Sequence, residues 1–358
     1  MRFFGKVGGM LAATTPSSAP VSTPAARMGW MDMLRGVAVL LVVVMHAADI
    51  PMTNGKGVDE WSRLHLYLEP FRMPMLMFLS GMLLPRALGK TLPQYAWGKF
   101  AAIVWPAVVW MLLFGFLIYH GGPTDPVYWR TGDYLWFLLA LCACYGTAML
   151  LKPVASRPVV MSLLCTGLFV AMILLRYHSE ISQSLVNRTL YYGAFFFLGA
   201  ACARLVVKWV NAPVSIVVGL GAVAVVLANL GLDDRSFRLG TPFSALTAIL
   251  GIAVLLWIAP RVPRGNFTQI LEWAGRNSIV IYVTHFPLVI LIHRLMRHLD
   301  ADPALYVSMC TVFGMALTLL MVRLRPWTAW LYVFPHHQRV AARLHNRAAL
   351  GGSQQTQH

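Results

Sequence analysis

From residue 30 onward the chain is a succession of apolar stretches of about 20 residues, separated by short polar connections. As a helix, such a stretch spans a hydrocarbon core of about 30 Å. Within that core every backbone N–H and C=O must be satisfied by the segment itself, which leaves only helices and closed barrels. The stretches fall at 32–50, 66–84, 99–120, 133–151, 158–176, 189–208, 213–231, 241–260, 276–298 and 303–324. No run alternates apolar and polar residues in the way a barrel strand must. The expected fold is therefore an all-α polytopic membrane protein, a bundle of about ten transmembrane helices. Pro70 and Pro74 in the second stretch and Pro287 in the ninth should kink their helices or make them locally irregular.

Composition excludes the other classes. Only 12% of the 358 residues are Asp, Glu, Lys or Arg, and 58% are hydrophobic. A soluble domain carries about 25% charged residues to cover its surface, so a soluble enzyme, a disordered chain, a fibre and a secreted disulfide scaffold are all ruled out. The formal charge of +16 would suggest nucleic acid in a soluble protein. Here the cations sit in connections between apolar runs, so they report topology and no nucleic-acid partner is expected. Cys142, Cys144, Cys165, Cys202 and Cys310 all lie inside apolar runs and read as small core residues.

Arg86, Lys90, Lys99, Lys152, Arg157, Arg204, Lys208, Arg261 and Arg264 fall on one side of the expected bundle, together with both termini. Asp49, Asp59, Glu60, Glu69, Asp125, Asp133 and Asp300 fall on the other. The Lys/Arg bias places the N- and C-termini in the cytoplasm of a multi-pass protein in an inner membrane of bacterial type. Three regions are expected. Residues 1–29, rich in Ala, Pro, Ser and Thr, read as a disordered cytoplasmic tail whose start only faintly imitates a signal peptide. Residues 30–325 form the membrane-spanning domain, and 326–358 a basic cytoplasmic tail.

Titratable groups inside a spanning helix are costly and mark function by default. The first stretch reads MDMLRGVAVLLVVVMH over residues 31–46. Arg35 and His46 are eleven residues apart, which at 100° per residue is three turns to within about 20°, so both project from one face. Asp32 is placed to pair with Arg35 at i, i+3. The rise between Arg35 and His46 is about 16 Å, which sets His46 just beyond mid-membrane when Arg35 is at the inner edge. The same residues also admit plainer readings: Arg35 as a topological anchor, His46 as a structural histidine, Asp49 as either an orienting group or a rim acid.

The second stretch opens EPFRMP, with Glu69 and Arg72 near the depth of His46, where they would pair with each other or hold a polar substrate. Trp136, in DYLWFL, reads as an interfacial aromatic or a stacking platform. In GRNSIVIYVTHFP, Asn277 or Ser278 would cap the ninth helix, Tyr282 lies farther along, and His285 is about 13 Å beyond the start.

These segments together resemble the acyltransferase-three family of integral membrane proteins, which includes polysaccharide O-acetylases. Arg35-x10-His46 fits the family hallmark on the first helix. FRMPMLMFLSGMLL, YLWFLLAL and GRNSIVIYVTHFPL resemble further family segments in the same order, covering residues 30–325. The sequence departs from the family in lacking the Arg-x-x-Arg pair of many members, with Arg86, Lys90 and Lys99 the nearest cations, and in lacking the soluble domain some members append.

The resemblance implies transfer of an acyl group, acetyl by expectation, from cytoplasmic acyl-CoA to a hydroxyl of a cell-envelope saccharide or glycolipid. The donor is a substrate, and no tightly bound cofactor or metal is implied. His46 would be the general base, assistance typically worth about 10²–10⁴-fold, and Arg35 would position donor phosphates or steady the helix through Asp32. Asp32, Glu69, Arg72, Trp136, Asn277, Ser278, Tyr282 and His285 form the candidate substrate-binding set, and Asn277, Ser278 and Tyr282 are the sequence-level candidates for an oxyanion donor. The competing reading is a secondary transporter or exporter of a polar solute with His46, Arg72 and His285 along its path. It would be favoured by internal repeats and matched broken helices, and neither is found.

Overall fold

The computed structural model describes residues 28–155, 157–178, 184–234, 240–299 and 301–355; apart from Met28 and Gly29, the tail expected over 1–29 lies outside them. Among the described residues the fold is all helical. Each of the ten apolar stretches overlaps helical segments, and among the described residues seven helices are long and apolar enough by themselves to cross a membrane: Gly29–Thr53, Leu92–Leu117, Pro126–Leu150, Val214–Asp233, Pro242–Arg261, Ser278–Met296 and Pro303–Leu331.

In chain order the helices are α1 (Gly29–Thr53), α2 (Asp59–Met82), α3 (Leu84–Leu88), α4 (Leu92–Lys99), α5 (Trp105–Leu117), α6 (Pro126–Thr131), α7 (Trp136–Leu150), α8 (Lys152–Ala155), α9 (Pro158–His178), α10 (Leu185–Cys202), α11 (Leu205–Trp209), α12 (Val214–Asp233), α13 (Pro242–Ile258), α14 (Asn266–Arg276), α15 (Ser278–Met296), α16 (Pro303–Thr328) and α17 (His337–Gln355). Pro70, Pro74 and Pro287 lie within helices that continue through them. A π-helical segment, Phe100–Val104, joins α4 to α5. There the Ala101 carbonyl accepts from the Phe334 N–H, from the far end of the chain.

The hairpin α1–α2 is the centre of the molecule. α1 packs on α14, α15, α16 and α2, while α2 packs on α10, α12 and α13. Two of these crossings are so close that only glycine fits. A methyl group on Gly36 of α1 would overlap the Leu271 carbonyl of α14, and one on Gly275 of α14 would overlap the Asp32 carbonyl of α1. Gly81 of α2 and Gly199 of α10 meet the Phe196 and Phe78 carbonyls in the same reciprocal way. Small residues let backbones approach where lipid offers no hydrophobic drive for association. The second crossing seats Phe195, Phe196 and Phe197 of α10, all buried, in the core.

Beyond α16 the chain lies against α4 and α5. Indole N–H groups of Trp97, Trp105 and Trp110 donate to the carbonyls of His337, Trp330 and Leu331. Tyr332 is fully buried, with its ring stacked on Trp110 at 6.1 Å. All five cysteines are free; Cys144, Cys165 and Cys310 are buried.

Candidate active site

α1 carries two separate polar stations, as its periodicity requires. At its N-terminal end Arg35 pairs with Asp32 at 3.5 Å and donates to the Leu79 carbonyl of α2 at 3.1 Å. Three turns on, His46 lies on the wall of a cavity of about 440 Å³ whose polar lining comes from α1, α2, α7, α10 and α15. The ring stands 5.3 Å, centroid to centroid, from that of His285 and meets the edge of Phe286 at 4.9 Å.

His285 is buried, and its Nδ1 lies 2.6 Å from the Tyr282 carbonyl and 3.2 Å from that of Ile281. A carbonyl can only accept, so Nδ1 carries the hydrogen and Nε2 is left as a bare acceptor. That Nε2 is buried without a hydrogen-bond partner. The two imidazoles that the sequence placed at similar depth on separate helices are therefore neighbours.

A tight turn brings α7 to the cavity. Gly132 and Asp133 both take left-handed conformations, with φ of 69° and 40°. Such backbone is sparsely populated for a non-glycine residue and persists only where surroundings enforce it. Here the Asp133 carboxylate accepts from the Tyr134 N–H at 2.7 Å. The turn is locked to α15 by reciprocal bonds: the Tyr134 hydroxyl donates to the Val283 carbonyl at 3.0 Å, and the Tyr282 hydroxyl to the Tyr134 carbonyl at 2.6 Å. Tyr282 thus lines the cavity with its hydroxyl committed to the backbone. Trp136 follows, with Tyr192 4.6 Å from its ring and the Arg188 guanidinium over it at 5.0 Å.

On the α1–α2 side, the structure adds His65, which sequence reasoning did not single out. Its Nδ1 is 3.7 Å from Asp49 and its Nε2 3.9 Å from Glu69. Asp49 therefore turns to His65 and is not paired with His46. Glu69 does the same, and no carboxylate lies within ion-pair distance of Arg72 among the described residues. Arg72 is 5% exposed, with its Nε buried and lacking a hydrogen-bond partner. Among the described residues no group of three or more His, Cys, Asp or Glu is arranged to hold a metal ion.

His46, Glu69, Arg72, Trp136, Tyr282 and His285 are thus gathered at or beside one cavity. Asp32 and Arg35 form their own pair toward the other end of α1. Asn277 and Ser278 are away from the cavity, at the start of α15, where Asn277 accepts from Arg325 at 2.9 Å and donates to the Trp273 carbonyl. His65, Arg188, Tyr134 and Tyr192 were missed. For His65 a signal existed, since His65 and Glu69 share a helix face at i, i+4; the others are assembled by tertiary packing alone.

A family model described as an acyltransferase domain matches residues 28–323. The chain belongs to acyltransferase family 3. The acyltransferase match covers α1 through most of α16 and so includes every residue of the cavity. With its apolar helices, this protein is a membrane acyltransferase. No curated protein and no solved structure was found to match it.

Proposed function

We propose that the acyltransferase moves an acyl group, acetyl in the first instance, from cytoplasmic acyl-CoA to a hydroxyl of an envelope saccharide or glycolipid. The observation that carries this reading is His46, an imidazole inside the bundle yet on the wall of a cavity that also bears charged side chains and is large enough for a sugar-sized group. The acceptor hydroxyl attacks the thioester carbonyl as His46 takes its proton. His285, with its tautomer set by its own helix, supports the ring from behind. No cysteine lines the cavity, which fits direct transfer better than a thiol-linked intermediate.

The donor headgroup belongs at the other station. Arg35 there is one of several cations: the charges of Lys90 and Arg35 act on Lys99, whose ammonium lies 3.5 Å above the Tyr145 ring. Clustered cations at a membrane rim suit a polyphosphate, and they stand where the sequence lacks the family's Arg-x-x-Arg pair. In this reading the protein sits in an inner membrane with about ten spans and both termini in the cytoplasm, and the Arg35 station faces the donor pool.

The test is incubation of membranes, with and without the protein, with radiolabelled acetyl-CoA. Label should appear on envelope glycan or lipid only when the protein is present. His46→Ala should reduce that label by at least about 10²-fold at unchanged protein level and membrane insertion. Full labelling by His46→Ala would remove His46 from the chemistry. Flux of a polar solute without label transfer would favour the transporter instead.

A further inference from the structure

Acyl transfer needs a group that stabilises the negative charge developing on the thioester oxygen, and several donors at the cavity are already engaged, Arg188 over the Trp136 ring among them. Tyr282 and Tyr134 have their hydroxyls committed to backbone carbonyls on each other's segments. Asn277 is committed to Arg325 and Trp273, and with Ser278 it lies outside the cavity.

Arg72 is different. It is inside the bundle, 5% exposed, on the cavity wall shared with His46. Its Nε has no hydrogen-bond partner, and a buried donor left unsatisfied is costly. Among the described residues no carboxylate lies within ion-pair distance of Arg72; Asp49 and Glu69 lie 3.7 and 3.9 Å from His65. Arg72 also borders a second space, an apolar groove of about 260 Å³ walled by Leu34, Val37, Met75 and Leu255 among others. Hydrocarbon on that flank lowers the local dielectric and strengthens what the cation does on the other.

We propose that Arg72 is the oxyanion-stabilising residue of the transfer step, a role that rests on the acyl-CoA reading above. The acceptor oxygen forms a bond to the thioester carbon while His46 accepts the hydroxyl proton. The carbonyl π pair moves onto oxygen, and that oxyanion takes hydrogen bonds from the Arg72 guanidinium. The pair then returns, the carbon–sulfur bond breaks, and the CoA thiolate leaves, taking the proton back from His46. The products are the ester and free CoA thiol. The guanidinium meets a full negative charge on that oxygen only while the oxyanion exists, so the interaction favours the transition state over the bound substrates.

The experiment compares membranes carrying wild-type protein, Arg72→Ala, Arg72→Gln, Arg72→Lys and His46→Ala, with labelled acetyl-CoA as donor and the acceptors already in the membrane. A melting curve of each purified variant in detergent confirms the fold. The expected result is a maximal rate about 10²–10³-fold lower in Arg72→Ala and Arg72→Gln. Half-saturation by acetyl-CoA should stay unchanged, and Arg72→Lys, which keeps the charge, should fall in between. Added methylguanidinium should raise the rate of Arg72→Ala and leave His46→Ala inert. A folded Arg72→Ala that keeps its maximal rate, or that loses only donor affinity, would overturn the role of Arg72 alone. Wild-type membranes that transfer no label would overturn the acyl-CoA reading and this role with it.

Discussion

Tyr134 and Tyr282 show how a residue's position and its chemistry can part company. Both line the cavity and, from sequence, Tyr282 qualifies as a donor to a reacting oxygen. In the structure each hydroxyl instead closes a clamp between the Gly132–Asp133 turn and α15. Removing one hydroxyl strands a buried carbonyl, a loss of about 1–3 kcal/mol. Tyr282→Phe should therefore lower the melting temperature in detergent while the rate per folded molecule stays within a few-fold of wild type. A rate falling by two orders of magnitude at unchanged melting temperature would return Tyr282 to the chemistry. At this scale the sequence was legible where one helix holds both partners. Arg35, Asp32 and His46 share α1, and its periodicity alone predicts the ion pair and the common face. It was illegible where partners come from different helices: the approach of His46 to His285 and the Tyr192–Trp136–Arg188 stack depend on packing that no local pattern encodes.

Among the helices, the apolar stretches announced nearly every long element, because a segment in hydrocarbon must satisfy its own backbone and shows this in composition. Their close crossings were less visible. Gly36 and Gly275, and Gly81 and Gly199, are 239 and 118 residues apart in sequence, and each glycine is explained only by a carbonyl on the opposing helix. Gly81→Ala or Gly199→Ala should force α2 and α10 apart, an overpacking cost of about 1–3 kcal/mol or more. A sharply reduced monodisperse fraction after detergent extraction is expected. Gly98→Ala in α4, where a methyl group meets nothing within 4 Å, is the control and should extract as wild type does. The π turn at Phe100–Val104 had no local signal either, since the carbonyl it frees at Ala101 is taken by Phe334, 233 residues on.

For the molecule as a whole, the formal charge of +16 is distributed as a membrane protein distributes it. If its asymmetry orients the chain as we propose, a fluorescent protein fused after His358 should fold and fluoresce, and a periplasm-dependent phosphatase fused there should be inactive. The reverse pattern would invert the bundle and put the Arg35 station on the side without acyl-CoA. The segment beyond α16 has a further consequence. The family match ends at residue 323, which invites trimming the chain to that length. Yet residues 330–337 supply the carbonyls that quiet three indole N–H groups of α4 and α5, and Tyr332 plugs the face between them. A version shortened to that length would expose a hole flanked by tryptophans at the rim of the bundle.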